Sequence, residues 1–162
     1  MCGDIPMDSR SIIVEEELTI LIVDDDKMLC EMLEDAFTRE EKLKITLAYN
    51  GLDAINRIKE EKFDLILTDL MMPGANGIEV LNIAKEVDEN VHVIIITGFA
   101  SLETAMEAIK KGAYDYITKP FKLAEIKIAV QNACEKIRLL RQNEALINNL
   151  KQAYQELDAL KK

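Results

Sequence analysis

The sequence is poor in the residues that break or staple a chain. Among 162 residues there are six Gly, three Pro, three Cys, one His and no Trp. So little Gly and Pro argues against long disordered tracts. Cys2, Cys30 and Cys134 are too few, too far apart and odd in number for a secreted disulfide scaffold. No run approaches the roughly 18 to 20 apolar residues of a membrane span, and the opening MCGDIPMDSR lacks the apolar stretch of a secretory signal. Base is also scarce: 20 Lys and Arg stand against 30 Asp and Glu, a formal net charge of −10. General binding to phosphate backbones rests on clustered base, so this chain is not expected to contact nucleic acid directly. The composition predicts a soluble cytoplasmic protein with no membrane partner.

What is present is a 49% hydrophobic content, ample for one core in a chain of this length. Residues 1–17 show no sustained period and read as a tail. Five β-branched or apolar runs follow: Thr19–Val23, Lys44–Ala48, Phe63–Thr68, Val91–Thr97 and Tyr114–Thr118. The first, third and fourth are nearly continuous in Ile, Leu and Val, as strands covered on both faces are. Helical stripes lie between: Leu29, Met32, Leu33, Ala36 and Phe37; then Ile78, Leu81, Ala84 and Val87; then Leu102, Ala105, Met106 and Ile109. Asn50-Gly51 and Gly112 supply turn and C-cap chemistry, and Ser101 with Thr104 supplies an N-cap. Alternating β and α segments predict a doubly wound α/β fold with a parallel sheet, whose ligands bind at the C-terminal strand ends.

Those ends carry the chemistry. Asp24, Asp25 and Asp26 follow the first strand and Asp69 the third; Thr97 ends the fourth, and Lys119-Pro120 follows the fifth. If the first and third strands are neighbours, Asp24, Asp25 and Asp69 converge on one crevice. Carboxylates that close repel unless a cation relieves them. Only oxygen is offered, which selects a hard ion such as Mg²⁺. Asp26 by itself reads best as a helix N-cap. His92, the single histidine, reads as a strand-start residue near the surface.

The segments ILIVDDD, FDLILTDLMMPGANGIEVL, VIIITGFAS and GAYDYITKPF resemble the receiver domains of bacterial two-component response regulators, over about residues 18–130. FASLETAMEAIKKGAYDYITKPF is most similar to receivers of the nitrogen-regulatory NtrC type. The resemblance implies a flavodoxin-like (βα)5 fold with strand order 2-1-3-4-5. It also implies that Asp69 is the phosphoacceptor and Asp25 a direct ligand of Mg²⁺, with Asp24 beside it. The Met71 backbone carbonyl would be a further ligand, Thr97 and Tyr116 the switch pair, and Lys119 the lysine that pairs with the phosphoryl group. The bond before the matching proline is usually cis. A sensor histidine kinase or phosphotransfer protein would be the donor; one His and no Gly-rich nucleotide loop exclude this chain from that part. Phosphorylation would change the surface of the fourth helix, fifth strand and fifth helix to control an output. Beyond self-catalysed phosphotransfer and slow autodephosphorylation, no enzyme activity is expected. Met71 and Phe99 are apolar where related receivers often carry polar groups, which predicts slow hydrolysis of the aspartyl phosphate.

From Lys122 an unbroken helical pattern runs to the end of the sequence. Leu123, Ile126, Val130, Ala133, Ile137 and Leu140 would pack its first half on the sheet. Then Leu139 opens a heptad seam in which Leu146, Ala153 and Leu160 take d positions, with Asn143, Leu150 and Leu157 at a. The expected division is a tail (1–17), a receiver (18–138) and a coiled-coil or linker helix (139–162), with homodimerisation through that helix. The pattern stops within the seam and no output motif follows, which favours a segment cut before an output domain over a stand-alone regulator. The alternative is a Mg²⁺-dependent phosphatase of the haloacid dehalogenase type with Asp24 as nucleophile, but Met28 stands where Thr or Val is usual and Asp69 is left without a part. A flavin-binding flavodoxin fits less well, because the loop after the first strand is acidic.

Overall fold

The computed structural model describes residues 17–40 and 42–161. The predicted tail therefore lies outside the described residues, apart from Glu17. The strands are β1 (Leu18–Val23), β2 (Leu43–Ala48), β3 (Leu65–Thr68), β4 (His92–Thr97) and β5 (Asp115–Thr118). They alternate with helices α1 (Lys27–Thr38), α2 (Gly51–Glu60), α3 (Gly77–Val87), α4 (Leu102–Lys110) and α5 (Leu123–Leu160). All strand pairs are parallel, in the order β2-β1-β3-β4-β5. The order reverses at β1, so the crevice between β1 and β3 is where this topology places ligands.

The chain divides into two compact units, one of them Glu17–Cys134 and the other including the helix from Glu135 onward. In the first, Ile20, Leu21, Ile22, Leu65, Ile66, Leu67, Ile94 and Ile95 are buried on both faces of the sheet. Each such side chain contributes roughly 1.5–3 kcal/mol on leaving water. Ile126, Val130 and Ala133 of α5 are buried as expected, together with Ala129 and Cys134. Strand β3 is shorter than Phe63–Thr68 for a local reason. The Asp64 carboxylate, not a backbone carbonyl, takes the Thr19 amide at 2.8 Å, and the regular ladder starts only at Leu65.

Helix boundaries follow from capping chemistry. Asp26, Asn50, Asn76 and Ser101 are N-caps whose side chains accept from the third residue on. Asp26 is thus the cap that its isolated reading predicts. Gly112, at φ +99°, closes α4, with Ala113 N–H donating to the Ala108 carbonyl at 2.9 Å and Gly112 N–H to Ile109 at 3.0 Å. This is the paired closure for which a left-handed residue is needed.

Three predicted stripes need correction. On α1 the buried set is Cys30, Leu33, Ala36 and Phe37, and Met32 is exposed. On α3, Val80 joins Ile78, Leu81 and Ala84 inside, and Val87 is exposed. On α4 the face is reversed: Leu102, Met106 and Ile109 are 79%, 50% and 61% exposed, and only Ala108 is buried. A small residue lets the helix approach the sheet closely, and the larger apolar stripe is left outward.

In the second unit the helix continues to Leu160. Leu139, Leu140, Leu146, Leu150, Leu157 and Leu160 are all exposed, as is Asn143. Leu140 therefore does not share the burial predicted for it. No helix among the described residues is long and apolar enough to cross a membrane.

Candidate functional site

The β1 and β3 backbones carry their pairing one step beyond the strands. Asp24 N–H donates to the Ala48 carbonyl at 3.2 Å, and Asp69 N–H to the Val23 carbonyl at 2.9 Å. Those bonds fix Asp24 and Asp69 side by side, and both are buried, at 4% and 7% exposed. Each carboxylate is divided between two tasks. Asp24 Oδ1 accepts from the Asp26 amide at 2.9 Å, and Asp69 Oδ1 from the Leu70 amide at 2.7 Å. Their Oδ2 atoms face Lys119 Nζ, at 2.7 Å and 3.2 Å respectively.

Lys119 is brought in from β5. Its amide donates to the Thr97 carbonyl at 2.9 Å, and the Lys119-Pro120 bond is cis, as expected from the resemblance. Burial alone pushes its ammonium pKa down, yet hydrogen bonding and attraction from Asp24 and Asp69 outweigh this and leave it raised. Asp25 is exposed, and one oxygen from each of Asp24, Asp25 and Asp69 lies within 4.8 Å of the others. An all-oxygen set of three carboxylates fits a hard divalent cation and gives a thiophilic metal no ligand. Cys30 lies beneath, donating to the Asp24 carbonyl at 3.4 Å; burial first, and the Asp24 charge second, push its thiol up to about 12.

The loop after Asp69 is clamped from below. Gly77 N–H donates to the Leu70 carbonyl at 2.9 Å, and a Cβ on Gly77 would overlap the Asp69 carbonyl oxygen. Met71 follows with its amide 3.4 Å from Asp69 Oδ1 and its side chain outward.

Thr97 is fully buried, and its hydroxyl accepts from the Phe99 amide at 3.1 Å. Tyr116 is half-buried and its hydroxyl is 2.8 Å from that of Thr104. The structure thus gathers Asp24, Asp25, Asp69 and Lys119 into one cluster. Thr97 stands at the end of the adjoining strand, and Tyr116 is engaged elsewhere. Sequence reasoning missed the engagement of Tyr116 by Thr104, the ion pair of Lys119 with Asp24, and the clamp at Gly77. Only the first left a local signal, in Ser101 and Thr104, and that signal spoke of a helix cap. His92 begins β4 half-buried, with its ring 5.1 Å from that of Tyr114.

The family model of the response regulator receiver domain matches residues 20–131. The chain belongs to this family. As a receiver it is 38% identical over 124 residues to "Transcriptional regulatory protein ZraR" of Klebsiella oxytoca, covering 76% of this chain but 28% of that protein. It is 39% identical over 112 residues to "Sporulation initiation phosphotransferase F" of Bacillus subtilis, covering 69% of this chain and 90% of that one. The receiver domain of a Francisella response regulator superposes with a TM-score of 0.67 at 34% identity, over 74% of this chain and 98% of that domain. The chain therefore spans about a quarter of the length of the ZraR relatives it matches. The matched domain is a signalling module of response regulators. Nothing in the match supports the dehalogenase-type phosphatase.

Proposed function

We propose that this receiver takes a phosphoryl group on Asp69 from a sensor histidine kinase or phosphotransfer protein. The supporting observation is the division of labour at Asp69: one oxygen is fixed by backbone amides, and the other faces a cation. That oxygen attacks phosphorus, the donor's P–N bond breaks (P–O for acetyl phosphate), and the leaving group departs. The protein's work is alignment and charge neutralisation. Asp24, Asp25 and Asp69, with the Met71 carbonyl, would hold Mg²⁺, which when bound spreads the negative charge of the transferring group. Lys119, already 3.2 Å from Asp69 Oδ2, is placed to pair with the new phosphoryl oxygens.

The added charge draws Thr97 and Lys119 toward the site, and Tyr116 follows inward. The surface that changes is α4–β5–α5, where Phe99, Leu102, Met106 and Ile109 offer exposed apolar contact. The second unit pairs two copies: Leu139, Leu146, Leu150, Leu157 and Leu160 are the exposed seam of a parallel coiled coil, with Asn143 setting register.

The test is to incubate the chain with Mg²⁺ and acetyl phosphate and locate any added phosphate by mass. One phosphoryl group on Asp69, absent from Asp69→Asn, is expected, with sedimentation reporting a dimer that truncation after Leu140 abolishes. Continuous turnover of phosphate monoesters, or labelling that survives Asp69→Asn, would overturn the assignment.

Once formed, the aspartyl phosphate is expected to persist. Met71 and Phe99 flank the site on its open side, 52% and 69% exposed, and neither side chain can orient water. Met71→Asn or Phe99→Glu should accelerate loss of labelled phosphate by about tenfold or more, since a positioned polar group can assist water. Unchanged decay in both variants refutes this account.

A further inference from the structure

The hydroxyl of Thr104 sits where the first turn of α4 meets β5. It accepts from the Ser101 amide at 3.2 Å and lies 2.9 Å from the Ser101 hydroxyl and 2.8 Å from the Tyr116 hydroxyl. A hydroxyl has one proton and two lone pairs. The Ser101 amide fills one lone pair; the Ser101 carbonyl, 3.2 Å away, and the two neighbouring hydroxyls compete for the proton and the other lone pair. Thr104 is thus fully engaged, and one of its four partner atoms belongs to the switch.

The cap alone does not need that partner. Ser101 Oγ accepting from Thr104 N–H at 3.1 Å, and Thr104 Oγ1 accepting from Ser101 N–H, complete the capping box. The Tyr116 bond is additional and tertiary. At its other end the Tyr116 ring packs on the buried cluster of Leu70, Ile78, Ile95 and Ala108. Leu70 directly follows Asp69, and Ile95 is the register partner of Tyr116. One side chain therefore links the neighbourhood of the acidic site to the first turn of α4. Both hydroxyls sit in half-buried residues, so water can replace either partner at modest cost.

We propose that Thr104 is a latch: its hydroxyl holds Tyr116 against the cap of α4, and the phosphorylated arrangement is reached only by breaking that bond. The proposal rests on the switch reading above and adds its restraint. Deleting the Thr104 hydroxyl weakens the resting arrangement alone, which shifts the population toward the arrangement that accepts phosphate. One net hydrogen bond corresponds to a gain of about two- to tenfold.

The experiment measures the initial rate of labelling by acetyl phosphate with Mg²⁺ in five variants of the 162-residue chain. Thr104→Val should label about two- to tenfold faster than the parent chain. Thr104→Ser, which keeps the hydroxyl, should label at the parent rate. Ser101→Ala, which weakens the cap and leaves Thr104 to Tyr116, should also stay near the parent rate. Thr104→Val combined with Tyr116→Phe should be no faster than Tyr116→Phe alone. The independent readout is the ring resonance of Tyr116 in the unlabelled protein, assigned by its loss in Tyr116→Phe. It should move in Thr104→Val and stay in Thr104→Ser. A Thr104→Val chain that is no faster, an equal gain in Ser101→Ala, or an unmoved Tyr116 resonance overturns the latch. A parent chain that takes no phosphate sinks the functional reading instead, and the resonance then decides the latch by itself.

Discussion

Lys119→Met is expected to cost the metal-free protein about 3 kcal/mol of stability, because removing one partner of a buried ion pair leaves an uncompensated charge. Here it leaves two. Asp24 and Asp69 both direct Oδ2 at the Lys119 ammonium, and their side chains are only 6% and 8% exposed. Their other oxygens are already committed to backbone amides, so neither can turn away without losing a second bond. Chemical denaturation in a chelator should show the deficit, and excess Mg²⁺ should narrow it, since a divalent cation supplies the missing positive charge. The pH dependence has a fixed sign. The Lys119 pKa is raised by folding, so its contribution is complete below the ordinary lysine value of 10.5. It is lost as pH climbs from there through the folded value. The gap between parent and variant should thus be constant from neutral pH to about 10 and shrink above it. Labelling by acetyl phosphate should fall by at least about a hundredfold, the usual cost of removing one charge-stabilising donor. A variant as stable as the parent in chelator would mean that the Lys119 contacts carry no weight.

The same cluster shows what a sequence can and cannot convey. The runs of β1, β3 and β4 were legible because burial on both faces leaves no polar position, and that is visible without coordinates. Asp24, Asp25, Asp69 and Lys119 were legible as a set because a parallel sheet sends every strand's C-terminal end to one edge. The stripe Leu102, Met106 and Ile109 misled for a physical reason. Periodicity identifies an apolar face but not which face is turned down, and the sheet beneath α4 accepts the small Ala108 instead. Met32 and Cys30 repeat the lesson on α1, where the smaller thiol is buried and the longer thioether is exposed. The Thr104–Tyr116 bond joins residues 12 apart on a helix and a strand, and only their packing brings them together. Lys119 and Asp24 are 95 apart, so the strand-end argument could bring them near but could not say that the lysine lies closer to Asp24 than to Asp69.

Gly77→Ala is the second substitution expected to act strongly, and it acts through backbone position alone. Gly77 has no need of a left-handed conformation; what it supplies is space. An added Cβ would overlap the Asp69 carbonyl oxygen and stand 2.9 Å from Leu70 Cα, and these are backbone atoms with no rotamer to change. Relief requires moving either α3 or the segment that carries Asp69. The helix is held by its Asn76 cap and by buried Ile78, Val80, Leu81 and Ala84, and the segment by the bond from Gly77 N–H to the Leu70 carbonyl. Overpacking of this kind costs about 1–3 kcal/mol. The larger consequence is at the site, where a shift near 1 Å in a reacting group costs about a hundredfold in rate. Labelling of Asp69 by acetyl phosphate should drop by about that factor in a variant that is still folded by circular dichroism. Gly98→Ala is the matched control, since its added carbon would meet only the Lys119 Cβ, at 3.8 Å. Equal labelling rates in the two glycine variants would show that the packing of α3 on the Asp69 loop does not position the nucleophile.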